Sequence, residues 1–64
     1  MTLEAVWLKN GKEIYWVDPV LDIRCGDNMN KMAAIEVYNG YYWYSAADCW
    51  EAPDDFVIRI KKEN

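Results

Sequence analysis

Histidine is absent from this chain, and cysteine, glycine and proline are scarce. Without an imidazole there is no Ser-His-Asp or Cys-His catalytic arrangement, and the commonest metal ligand is missing. Cys25 and Cys49 alone fall short of the four Cys or His ligands of a structural zinc site. Cys49 lies beside Asp48 and near Glu51, whose charge disfavours a thiolate, so it reads as a small buried hydrophobe. Three glycines provide no phosphate-cradling loop. Asp27, Asn28 and Asn30 lack both the EF-hand spacing and its terminal glutamate. Asp54 and Asp55 are a poor acid-base pair, because neighbours on an extended segment point to opposite faces. The residues therefore predict a protein that is not an enzyme and carries neither metal nor cofactor.

Positive charge is the next shortage. Seven basic residues face eleven acidic ones, a net charge of −4, and the nearest approach to a basic stripe is Arg59, Lys61 and Lys62. Phosphate binding scales with the number of phosphates that Lys and Arg neutralise, so direct nucleic-acid binding is disfavoured. No segment approaches the ~18 uninterrupted apolar residues of a membrane span. The stretch Met1–Val6 has no basic region followed by an apolar run, as a signal peptide would. A cytoplasmic protein with two reduced thiols is the expectation.

What the chain does hold is β-structure punctuated by turns. Asn10-Gly11 joins Val6–Lys9 to Lys12–Trp16, and Asn39-Gly40 joins Ile35–Tyr38 to Tyr41–Tyr44. Asn and Gly both tolerate positive φ, which fits a two-residue type I′ turn between antiparallel strands. For the first hairpin this predicts Lys9 opposite Lys12, Leu8 opposite Glu13, Trp7 opposite Ile14 and Val6 opposite Tyr15. Trp7, Ile14 and Trp16 then share one face. For the second it predicts residues 35–38 against 41–44, with Ala33, Ile35, Val37, Tyr42 and Tyr44 on one face. Glu36, Tyr38, Tyr41 and Trp43 occupy the other.

Between the hairpins, Asp18-Pro19 ends the first ladder, because proline has no N–H to give. Val20–Arg24 reads as a third strand and Cys25–Asn28 as a turn. At most a turn of helix is expected near Asn28–Lys31. The alternative is an α+β fold with a helix near 28–38, capped by Asn28 and ended by Asn39-Gly40. Ser45-Ala46-Ala47-Asp48 has a capping-box shape, opening a short helix near 46–52 that must stop before Pro53. Phe56–Lys61 alternates as a closing strand with Phe56, Ile58 and Ile60 inward. At 64 residues the chain is one small domain, and its ten aromatics are the means of filling a core. The predicted fold is mainly β, with about five antiparallel strands and one short helix, arranged as a twisted sheet or small barrel.

Ala52-Pro53-Asp54-Asp55-Phe56-Val57 is similar to the Pro-x-x-Tyr-Val turn before the last strand of SH3 domains. The resemblance covers six residues, and the chain lacks that family's N-terminal Ala-Leu-Tyr-Asp-Tyr segment. It implies a small β-barrel and does not extend to proline-peptide binding.

Two surfaces are candidates for function. Asp48, Glu51, Asp54 and Asp55 place four carboxylates within eight residues around Trp50. A charged rim steers and an aromatic anchor holds, which suits docking on a basic surface of another protein. Tyr38, Tyr41 and Trp43 offer the hydrophobic contribution. By analogy of size and charge alone, such a chain resembles phage-encoded inhibitors of host defence, the anti-CRISPR type, acting in the host cytoplasm. Two other classes compete: a structural subunit or homodimer joined through the aromatic face, and an aromatic-platform module for carbohydrate or single-stranded nucleic acid.

Overall fold

The computed structural model describes residues 2–27 and 31–61. Its strands run β1 (Thr2–Lys9), β2 (Lys12–Val17), β3 (Asp22–Cys25), β4 (Ile35–Tyr38), β5 (Trp43–Ser45) and β6 (Asp55–Lys61). They form two antiparallel three-strand sheets, ordered β2-β1-β6 and β3-β4-β5. The fold is mainly β, as the residues predict. In place of one twisted sheet or a barrel there are two sheets, face to face. The molecule's shortest extent, 14 Å, accommodates two layers about 10 Å apart and no third.

The first turn adopts the predicted conformation, with Asn10 at φ 52° and Gly11 at φ 77°. Lys9 opposes Lys12 and Leu8 opposes Glu13, as expected. Beyond them a β-bulge intervenes. Trp7 pairs with Tyr15 instead of Ile14, Val6 with Trp16, and Ala5 with Val17. One extra residue reverses which side chains face inward. Trp16, expected beside Trp7, therefore lies on the outer face, and Tyr15 and Val17 join Trp7 inside. The reason is packing: the shifted register sets Tyr15 5.2 Å from the Trp7 ring, with Phe56 of β6 at 4.9 Å.

Trp7 is fully buried at the centre of the core, and its Nε1 donates to the Met32 carbonyl at 2.7 Å. Ala5, Val17, Val20, Val37 and Ala46 complete the buried cluster. The chain changes sheets at Val20-Leu21. Val20 N–H donates to the Leu3 carbonyl in one sheet, and Leu21 N–H to the Tyr38 carbonyl in the other. The third strand accordingly starts at Asp22, two residues later than predicted.

The second hairpin exists, but its register lies two residues from the expected one: Tyr38 opposes Trp43, Val37 opposes Tyr44 and Glu36 opposes Ser45. The turn holds four residues, because the Asn39 side chain accepts from both Tyr41 N–H and Tyr42 N–H at 2.9 Å. Asn39 acts as an acceptor heading the turn, and only Gly40 takes positive φ (103°). Ile35–Tyr38 being a strand excludes the alternative helix across 28–38; its proposed cap, Asn28, lies outside the described residues.

The helix expected near 46–52 is a single 3-10 turn, Ala46–Asp48. Ser45 does cap it, accepting from Ala47 N–H. Cys49 then turns extended (φ −72°, ψ 149°) and packs against the core, which ends the helix before a second turn forms.

Candidate functional site

The chain from Asp48 to Asp55 crosses from the second sheet back to the first. Ala46 and Pro53 are buried and pin its ends, while Trp50 between them is wholly exposed. Trp50 borders an open groove shared with Ile14, Asp48, Cys49 and Glu51. The groove thus joins an apolar floor to two flanking carboxylates. Ile14 reaches it because the bulge releases that residue from the regular ladder.

Asp54 and Asp55 sit further along, against the first hairpin. Asp54 Oδ2 accepts from Asn10 N–H at 3.2 Å, and its own N–H donates to the Leu8 carbonyl. Asp55 opens β6, and its Oδ1 accepts from Phe56 N–H. The structure therefore brings Asp48, Trp50 and Glu51 together. It places Asp54 and Asp55 beside the Asn10-Gly11 turn, each with one carboxylate oxygen engaged by backbone.

Cys25 and Cys49 are both thiols, the first exposed and the second half-buried. Burial pushes the Cys49 thiol up, and the neighbouring Asp48 charge adds to this, so the protonated form is favoured. Tyr15 is shifted the same way, first by burial and then by charge on Cys49, Tyr44 and Asp48. Among the described residues, no three Cys, Asp or Glu side chains group so as to hold a metal ion.

Tyr38 and Trp43 lie on the outer face of the second sheet, 5.2 Å apart, while Tyr41 projects from the turn, 82% exposed. Trp43 is not a bare platform. The Arg24 guanidinium stacks 3.9 Å from its ring centre and donates from Nε to Glu36 at 2.7 Å. The Tyr38 hydroxyl donates to the Gly40 carbonyl, which ties this face to the turn.

A third arrangement went unpredicted. On the outer face of the first sheet, Glu4 is buried although charged. It accepts from Trp16 Nε1 at 2.6 Å and from Arg59 Nε, and Arg59 also pairs with Glu13 at 2.9 Å. Lys61 bonds Asp18 alongside. These charge-assisted bonds hold the Glu4 carboxyl below the usual carboxylate range, the Arg59 bond foremost and the Trp16 bond next. No local sequence signal gave this arrangement, because it depends on the bulge, which turns Trp16 outward to meet Glu4.

The chain matches no protein-family model, no curated protein and no solved structure. Among the described residues, no helix is long and apolar enough to cross a membrane.

Proposed function

We propose that this is a non-enzymatic protein-binding protein whose Trp50 segment docks on a basic surface of another protein. The observation that carries the reading is Trp50, wholly exposed beside an apolar groove and flanked by Asp48 and Glu51. An indole left in water contributes no burial to the fold, so its whole area is available to a partner. The carboxylates supply steering and partner choice. An inhibitor covering a basic nucleic-acid-binding surface is the functional class that fits. The rival stacking platform is weakened, because Arg24 already covers Trp43.

The test is affinity capture from the native host with three baits: wild type, Trp50→Ala, and the Asp48→Lys/Glu51→Lys double variant, which reverses the two carboxylates beside the indole. A partner with a basic surface is expected. Trp50→Ala should speed its dissociation and raise Kd by roughly 30-fold, about 2 kcal/mol. The charge reversal should slow association and flatten its salt dependence. Folded variants that both bind the partner like wild type would overturn the reading.

A further inference from the structure

The sandwich is open along one side. Leu3 and Ile60 lie opposite each other on the first sheet, on the face that carries Ala5, Trp7, Phe56 and Ile58 into the core. Yet Leu3 is 41% and Ile60 60% exposed. On the second sheet Ile23 shares the inner face with its partner Val37, which is fully buried; Ile23 is 47% exposed and Leu21 67%. Leu3, Val20, Leu21 and Ile23 line one hollow. Leu3, Leu21 and Ile23 thus stand in water around the hollow where β3 forms the sheet's edge, and Ile60 extends the exposed aliphatic surface beside Leu3 on the first sheet. Contiguous apolar surface of this kind marks an interaction site.

The edge of β3 is also available for pairing. Gly26 N–H donates to the Ala34 carbonyl, so by the alternation of antiparallel pairs the Ile23 N–H points away from β4. Its acceptor is the carboxylate of its own neighbour, Asp22 Oδ1, at 2.8 Å. A local side-chain acceptor is readily exchanged for a strand.

We propose that β3 pairs antiparallel with β3 of a second copy of this chain, about a two-fold axis at Ile23, and that this homodimer closes the open side. The charge order selects that occupant. Asp22 and Arg24 flank Ile23, so antiparallel self-pairing sets each Asp22 opposite Arg24 of the second copy. The two Ile23 residues meet at the axis, and each supplies the N–H and carbonyl the other needs. The interface is isologous, as two-fold symmetry requires. Asp22, released from the Ile23 N–H, gains a guanidinium across the new ladder. The second sheet becomes six-stranded, and the two aliphatic patches merge beneath it. This surface is separate from the Trp50 groove, so either proposal can fail alone.

Sedimentation equilibrium of the full chain tests it. The mass should rise from 7.6 kDa toward twice that value with concentration. Asp22→Arg and Arg24→Asp each set like charges opposite one another twice, and each should raise the dimer Kd about tenfold. An equimolar mixture of the two variants should dimerise again, because every Arg then faces an Asp. Arg24→Asp also loses Glu36 and Trp43; if it does not fold, Asp22→Arg and Ile23→Lys carry the test through the same loss of dimer. A monomer at every concentration, a dimer indifferent to these variants, or a mixture no tighter than the folded single variants would overturn the proposal.

Discussion

Trp7→Phe is the substitution whose cost the structure specifies best. Two losses add. The indole N–H donates to the Met32 carbonyl at 2.7 Å from a fully buried ring, and a benzyl group has no donor to replace it. Losing one partner of such a bond costs about 1–3 kcal/mol. The second loss is volume: the missing part of the indole corresponds to roughly two methylenes, about 0.8 kcal/mol each before any cavity penalty. Together they come to at least about 3 kcal/mol. A chain of this length has roughly 3–10 kcal/mol of total stability, so the variant should be barely folded or markedly weakened.

Urea denaturation followed by far-UV circular dichroism reads the effect. With a slope of about 1 kcal/mol per molar, as suits a small domain, the midpoint should fall by about 3 M. Thermal melts should show a drop of about 12–24 °C. Trp50→Phe is the control, since Trp50 is wholly exposed and its replacement should stay within about 0.5 kcal/mol of wild type. If the two substitutions shift the midpoint equally, Trp7 is not the centre of the core and the register that puts it there is wrong.

That register is the point at which sequence reading and structure part. Both Asn-Gly turns, the strand character of Ile35–Tyr38 and the closing strand were legible, because turn chemistry and β-branched runs are local signals. The faces of the second hairpin survived a wrong register, since a shift of two residues preserves alternation. The first hairpin's inner face did not survive, because a bulge shifts the ladder by one. Nothing local marks Ile14 as the extra residue. The bulge satisfies both the type I′ turn, which sets Lys9 against Lys12, and the core, which demands Tyr15 and Val17 inside with Trp7. Asn39 misled for a different reason. The same side chain serves a turn through positive φ or through its amide oxygen, and only the fold decides which. The acidic residues around Trp50 were visible as a cluster. That only Asp48 and Glu51 share its groove depends on Cys49 stopping the helix after one 3-10 turn.

Three further expectations follow from the same geometry. Gly40→Ala should cost more than Gly11→Ala. Both glycines have positive φ, a strain of about 1–2 kcal/mol for alanine, but a Cβ at Gly40 also meets Leu21 Cδ1 at 3.2 Å, while one at Gly11 meets nothing within 4 Å. Paired chemical denaturation curves would show it, and equal midpoints would refute it. The Glu4 carboxyl is depressed in the folded chain, so its contribution is present above the ordinary carboxylate range and is lost as pH falls through the lowered folded value. Glu4→Gln should therefore be less stable than wild type at neutral pH and lose less stability on acidification; parallel acid limbs in thermal melts would exclude this. Deleting Ile14 tests the bulge itself. The shortened strand still sets Leu8 against Glu13, and Trp7 then meets Tyr15 with no residue left over, so turn and core are satisfied by an unbroken ladder. The cost should be confined to Ile14's partial burial, about 1–2 kcal/mol. Deleting Val6 from the bulge-free β1–β6 ladder instead reverses the face of every residue on one side of the cut, and should unfold the chain. Amide exchange and cross-strand nuclear Overhauser contacts between Trp7 and Tyr15 distinguish the cases. A shortened chain that unfolds as fully as the Val6 deletion would mean that the bulge shapes the sheet and does not merely reconcile its two ends.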